Sequence, residues 1–442
     1  MTDTVLTLPL GGWRRRKYQK GFFRYMEKGG KRAVIRWHRR AGKDEVSLHW
    51  TCRAMLGRVG NYWHLLPEYS QARKAVWDAV NPHTGKRRID ETFPKELRKR
   101  TREAEMSIEF RNGSTWQLVG SDRYDALVGS PPVGLVFSEY ALSNPLSWDY
   151  LRPMLAENGG WAIFNGTVRG RNHFWKIGEF AKTDPAWFFS EVSADQTDIF
   201  TPETLDQEQR ELIAQWGKED GASRFRQEYY NDPNVAMPGA YYAQLIAAAH
   251  ADGRVGIFKY DSRYPVSTSW DLGFDSETAI WFFQLTPAGP VFIDYHHARN
   301  KGMPDYAEVL KSKGYRYGNH IAPHDIKTGD VGTGKKRFEI AMEHGIQFDL
   351  APYIGVEDGI QATKRVIAVS RFDAENCESG LESLISYHSE FDEEKRTLRK
   401  IPVGDWASHG ADSLRYMAVD TNVKEFEPKR EKVGEKKSSW GF

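Results

Sequence analysis

Apolar and polar positions along this chain repeat in one order: a short apolar run, a polar or glycine-bearing turn, then a stretch with helical spacing. Ala33 to Asp44, reading AVIRWHRRAGKD, is the first instance. An apolar strand enters a basic loop ending in Gly42-Lys43, and Val46, Leu48, Trp50, Met55 and Leu56 then recur among polar residues as on one helix. Gly134 to Glu139, GLVFSE, is an apolar run closing on an acid, which predicts a buried parallel strand with Glu139 at its C-terminal end. Ala162 to Asn172 is a third such strand, opening into a polar loop with two glycines. Between these, Ser107 to Val119 alternates on either side of Asn112-Gly113, the pattern of a tight hairpin.

The pattern then changes. Thr201 to Tyr229 is rich in Glu, Gln, Arg and Ala with Leu and Ile at helical intervals, opened by a Thr201-Pro202-Glu203 capping signal. A second helical stretch, Tyr241 to His250, stops before Asp252-Gly253. Beyond it, Pro265 to Asp271 and Thr278 to Leu285 read as strands. Phe338 to His344 and Ile360 to Val369 read as helices, and Gly329 to Lys335 as a mobile loop. GTGK within that loop has no apolar strand leading into it, which argues against a second phosphate loop. These elements predict a doubly wound, mainly parallel α/β domain over 1–194 and a helical lid or linker over 195–252. A second α/β domain over 253–421 and a charged, disordered tail over 422–442 complete the division.

Two places carry chemistry. The strand–loop–helix at 33–56 has the form of a phosphate cradle, in which helix-start N–H groups and Lys43 hold the β- and γ-phosphates of a nucleoside triphosphate. Its match to G-x-x-x-x-G-K-[ST] is partial, since Trp37 replaces the first glycine and Asp44 the Mg²⁺-binding hydroxyl. Glu139 would polarise the attacking water, and Ser138 stands where an aspartate usually holds Mg²⁺. In the second half, Asp271, Asp325 and Asp412 come from three distant elements and could converge on two Mg²⁺ or Mn²⁺ ions, which prefer hard oxygen ligands and cleave phosphodiesters.

Nine strings in order along nearly the whole chain carry a family resemblance. They are Tyr18-Gln19, HRRAGKD at 38–44, LLPEYSQAR at 65–73, VFSEYALSNP at 136–145, FNGTVRGRNHFW at 164–175, FRQEYYNDP at 225–233, WDLGFDSETA at 270–279, APHDIK at 322–327 and ASHGADSLRY at 407–416. Together they resemble the large terminase subunit of tailed bacteriophages, the ATP-driven motor that packages and cuts viral DNA. The resemblance implies a P-loop ATPase domain followed by a ribonuclease H-like nuclease domain. It implies that Arg39, Arg40, Ala41, Gly42, Lys43 and Asp44 form the triphosphate loop with Mg²⁺ and that Gln19 reads the adenine edge. Glu139 would be the base beside Ser138, and the motif from Thr167 to Gly170 would couple hydrolysis to motion. It places Asp271, Asp325 and Asp412 as nuclease metal ligands, with Asp275 as a fourth and His324 and His409 as neighbours that orient ligands or water. Val128 stands where many relatives carry an arginine, with Arg123 as the substitute for a neighbouring subunit's site. Implied partners are double-stranded viral DNA, a small terminase subunit and a portal or procapsid on which a ring assembles, all in the host cytoplasm.

Composition adds limits. With 62 basic and 60 acidic residues among 442 the net charge is +2, so DNA contact requires local patches such as Arg14 to Lys17, Lys86 to Arg88 or Lys95 to Arg102. Cys52 and Cys377 lack metal-like spacing, which reads as a reduced, intracellular chain. No signal peptide is evident, and no apolar run approaches the roughly 18 residues of a membrane span. Two other classes fit the same residues: a DNA repair or helicase-type ATPase with a DNA-binding second half, and a resolvase-like nuclease with a degenerate P-loop.

Overall fold

The computed structural model describes residues 13–122, 124, 131–235, 239–273, 277–327, 336–392 and 397–421. Arg123, Val128, Asp275, the loop at 329–335 and the tail at 422–442 lie outside these, as does the side chain of Asp325. The chain forms two compact units, Met1–Pro238 and Gly239–Phe442.

The first unit is built on strands β1 (Arg32–Trp37), β2 (Asn61–Leu66), β3 (Arg98–Arg102), β4 (Ser107–Phe110), β5 (Thr115–Gly120), β6 (Pro132–Phe137), β7 (Trp161–Gly166) and β8 (Trp187–Val192). They form one sheet in the order β3-β4-β5-β2-β6-β7-β1-β8. From β5 to β8 every neighbouring pair is parallel. Only the β3-β4-β5 end is antiparallel, and β4-β5 is the hairpin predicted around Asn112-Gly113. A parallel sheet must be covered on both faces, and β1 shows how the alternation does it. Ala33, Ile35 and Trp37 join one apolar cluster with Val46, Leu48 and Met55 of helix Lys43–Gly57. Val34 joins Leu151 and Leu155 of helix Leu146–Asn158 and Phe174 of helix His173–Thr183 on the other face. Arg36, fully buried on that second face, donates to Glu179 Oε1 at 2.9 Å and lies 4.2 Å over the Trp175 ring.

Helices Pro202–Trp216 and Lys218–Tyr230 form the predicted helical segment, and the Thr201 hydroxyl caps the first by accepting from Thr204 N at 3.3 Å. Their small core, Ala194, Leu205, Phe225 and Tyr229, falls within the first unit. Helix Ala243–Ala251 does not belong with them. Its Ile246 packs with Ile360 and Val366 in the second unit, so the stretch expected as one linker, 195–252, divides between the two. Periodicity identified the helices but could not assign them to a core.

The second unit contains β9 (Val255–Gly256), β10 (Val266–Asp271), β11 (Thr278–Thr286), β12 (Gly289–Ala298), β13 (Tyr317–Ala322), β14 (Phe348–Leu350) and β15 (Arg371–Asp373). Their order is β14-β13-β10-β11-β12-β15-β9. β10-β11 and β11-β12 are antiparallel, while β10-β13 and β13-β14 are parallel. The fold class expected from the sequence is the one observed: α/β throughout, with a mainly parallel first sheet, helices, and a mixed second sheet. Helix Trp406–Asp420 lies across β10, fastened by Ser413 Oγ donating to Ser269 O at 2.6 Å. No helix among the described residues is long and apolar enough to cross a membrane.

Trp281 is fully buried on β11, and its indole donates to Gly410 O at 2.8 Å. Trp281→Ala should lower the stability of the second unit by about 3–5 kcal/mol, read by chemical denaturation.

Candidate functional site: a phosphate cradle and an aspartate pair

β1 ends at the buried Trp37, whose Nε1 donates to Ser190 Oγ at 2.9 Å, so the chain enters the loop from a fixed point. Arg40 (φ 69°) and Gly42 (φ 72°) are both left-handed. The conformation is uncommon for a residue with a Cβ. The amides of His38, Arg39 and Ala41 are already engaged, donating to Val192 O, Glu228 O and His38 O. Helix Lys43–Gly57 then starts with no side-chain cap among the described residues, and uncapped helix-start N–H groups are the donors that an anion can use.

Lys43 is 7% exposed, and its ammonium donates to Trp37 O and Thr167 Oγ1 at 3.0 Å each and to His38 O at 3.4 Å. It therefore sits inside the loop. Gln19 is fully buried. Its Oε1 accepts from Arg16 N at 2.9 Å, and its Nε2, with no partner among the described residues, lies 3.4 Å from where a Cβ on Gly42 would stand. Tyr18 closes the same side by donating to Ala41 O at 2.7 Å.

The strand ends opposite supply acids and hydroxyls. Ser138 Oγ donates to Asp44 Oδ1 at 2.5 Å, and Asn165 Nδ2 reaches the same oxygen at 3.4 Å. His64 Nε2 lies 3.8 Å from it, but burial pushes this imidazole down to about 4 against the attraction of Asp44, so it is uncharged at neutral pH. Glu139 is left-handed (φ 51°) and half-buried. Gly166 on β7 lies close to that turn: a Cβ there would stand 3.4 Å from Glu139 Cα. Backbone strain of this kind collects at functional positions.

Of the two arginines, Arg40 is exposed, and Arg39 Nη1 faces Glu228 Oε2 at 3.6 Å. Arg169 Nη1 binds the other Glu228 oxygen at 2.5 Å. Burial raises the Glu228 carboxyl, yet Arg169 and Arg39 together hold it below the usual range. Glu228 is a residue the sequence reading missed. It lies in FRQEYYNDP, and an acid beside aromatics gives no signal until the fold brings the loop to it.

In the second unit Asp271 ends β10, and helix Trp406–Asp420 carries His409 and Asp412 toward it. His409 Nδ1 lies 2.9 Å from Asp271 Oδ2. Burial lowers this imidazole, but the hydrogen bond and charge of Asp271 outweigh it and its pKa is raised. Asp412 Oδ1 accepts from Arg415 Nη2 at 3.0 Å and from the Tyr387 hydroxyl at 3.2 Å. Burial pushes its carboxyl up to about 6, with Arg415 opposing and the charge of Asp271 adding. Asp271 and Asp412 are thus brought together. β13 runs parallel beside β10, so the 3-10 turn His324–Lys327, which contains Asp325, leaves the sheet at the same end. Among the described residues no three His, Cys, Asp or Glu stand in a metal-holding group. Glu277, 5% exposed and paired with His297, adds a further carboxylate whose charge reaches His409. It was missed because DLGFDSETA offers three acids and spacing alone does not rank them.

The first unit thus sets a buried lysine in a left-handed loop at the strand ends of a parallel sheet, and the second an acidic strand-end site on a mixed sheet. No protein-family profile and no curated protein matches the chain. Among solved structures it is similar to a large terminase of a thermophilic bacteriophage in complex with ADP, at 17% identity over 92% of this chain and 100% of that one, TM-score 0.41. It is also similar to the Thermus phage P74-26 large terminase ATPase domain (18% identity, 50% of this chain and 95% of that one, TM-score 0.39). A third is the P22 large terminase nuclease domain (14% identity, 40% and 94%, TM-score 0.30).

Because the Asp412 carboxyl rises from 3.8 to about 6 on folding, its contribution to stability is full below pH 4 and is lost as pH climbs through 6. Asp412→Asn should flatten that segment of the stability curve in metal-free buffer, measured by thermal unfolding from about pH 4 to about pH 7. An unchanged slope would assign the titration elsewhere.

Proposed function

We propose that this chain is the large subunit of a tailed-phage terminase, coupling ATP hydrolysis to translocation of double-stranded DNA and cutting that DNA in its second unit. The observation that carries the reading is the pairing of two centres on one chain: the buried Lys43 in a left-handed loop opposite Glu139, and the electrostatically linked Asp271 and Asp412. Fit to a nucleoside triphosphate is supported by the helix start and the Gln19 Nε2 beside Gly42, which among the described residues have no side-chain cap and no hydrogen-bond partner. Lys43 would exchange its bonds to Trp37 O and His38 O for phosphate oxygens, at little desolvation cost because the ammonium is already buried. Glu139 would take the proton of the attacking water. Thr167, which already touches Lys43, would register whether the ammonium stays or moves. Arg39 and Arg169, both on Glu228, would carry that change to the Lys218–Tyr230 helix.

In the second unit Asp271 and Asp412 are hard oxygen donors suited to Mg²⁺ or Mn²⁺, with Asp325, Asp275 and Glu277 as the acids available to complete the set. Bound divalent ions supply water activation and leaving-oxygen stabilisation. His409 would keep Asp271 oriented. In this reading the protein acts in the host cytoplasm with a small terminase subunit and a portal-bearing procapsid, as a homo-oligomeric ring.

Glu139→Gln should bind ATP but hydrolyse it about 10²–10⁴-fold more slowly, measured by single-turnover hydrolysis; normal turnover would remove Glu139 as the base. Asp271→Ala and Asp412→Ala should each abolish Mn²⁺-dependent cleavage of plasmid DNA while ATP turnover persists. Cleavage by either variant would exclude that residue from the metal set.

A further inference from the structure

In phosphate loops of this form the residue after the lysine brings a hydroxyl to Mg²⁺, and a facing strand end brings a carboxylate. Here the two residue types are interchanged, Asp44 on the helix and Ser138 on the strand, and they meet at 2.5 Å. The contact is built into the core: Ser138 is 1% exposed and Asn165 is fully buried. Asn165 Nδ2 reaches Asp44 Oδ1 at 3.4 Å and Ser47 Oγ at 3.1 Å, and Ser47 Oγ returns to Lys43 O at 2.9 Å. The contacts from Ser138, Asn165 and His64 all fall on Oδ1. The side chain is 27% exposed, and among the described residues no hydrogen bond falls on Oδ2.

We propose that the nucleotide-bound Mg²⁺ is held by an exchanged pair, with the carboxylate of Asp44 delivered from the helix start and the hydroxyl of Ser138 from the strand end. The proposal rests on the first unit binding a nucleoside triphosphate. A carboxylate in the first turn of a phosphate-binding helix repels the triphosphate unless a cation stands between them. With the cation, the same carboxylate bridges protein and phosphate. The sum of one carboxylate and one hydroxyl is preserved, so the site keeps the charge that the ion requires. Asn165 is a positioning residue that fixes the Asp44 rotamer.

The test uses the full-length chain and a fluorescent, non-hydrolysable ATP analogue titrated in EDTA and in Mg²⁺, with Mn²⁺ substituted for paramagnetic resonance of the bound ion. Asp44→Ser should lose the metal enhancement of binding by at least the roughly 10–100-fold that removal of a ligand-supporting group costs. Its affinity in EDTA should be equal to or tighter than that of the parent, and its Mn²⁺ signal should be lost. The double variant Asp44→Ser with Ser138→Asp, which restores the ordinary order, should recover both. Asp44→Asn, closer in shape, repeats the single-variant result if the serine variant unfolds. Full metal enhancement in Asp44→Asn or Asp44→Ser, or a double variant no better than the single one, would overturn the exchange while leaving nucleotide binding intact. Failure of the parent chain to bind the analogue with or without metal would overturn the nucleotide reading itself.

Discussion

The ammonium of Lys43 is the constraint on which the first unit turns. A cation almost wholly removed from water must find oxygen partners, and here they are two carbonyls of its own loop and one hydroxyl from the end of β7. The loop must therefore fold back over the helix start, which the left-handed Arg40 and Gly42 permit. Trp37 must also be immobile, which its burial and the Ser190 bond ensure. The strand order supplies the rest. β7 lies between β1 and β6, so Thr167 and Glu139 leave adjacent strands at the end where the loop begins.

The second unit uses a different device to bring distant acids together. Helix Trp406–Asp420 is fastened to β10 by reciprocal serine contacts between Ser269 and Ser413, and one turn further toward its start His409 meets Asp271. Asp412, next to the fastening point, is held in a partly dry setting by Arg415 and Tyr387. Burial there and the nearby charge of Asp271 both disfavour the ionised carboxylate, with Arg415 opposing.

Much of this was legible in the sequence because it depends on local periodicity. The strands carrying Glu139 and Asp271, the Asn112-Gly113 hairpin and the helix bearing Asp412 follow from apolar spacing and turn chemistry. What escaped depends on long-range packing. Glu228 acquires its meaning from Arg39 and Arg169, which lie 189 and 59 positions away in sequence. The left-handed turn at Glu139 is invisible in the string FSEY, which carries no glycine to mark it. The two helical stretches within 195–252 read as one linker because helix propensity does not reveal which hydrophobic cluster Ile246 will join.

β3, Arg98–Arg102, forms one margin of the first sheet and reads RKRTR. Lys99 and Arg102 are partly balanced by Glu109 on β4, while Arg100 projects into solvent. An unprotected border of backbone donors and acceptors invites self-association into extended ribbons. Two such borders approaching each other would align rows of guanidinium and ammonium groups, so the cationic fringe discourages copies of the chain from zipping together at high concentration.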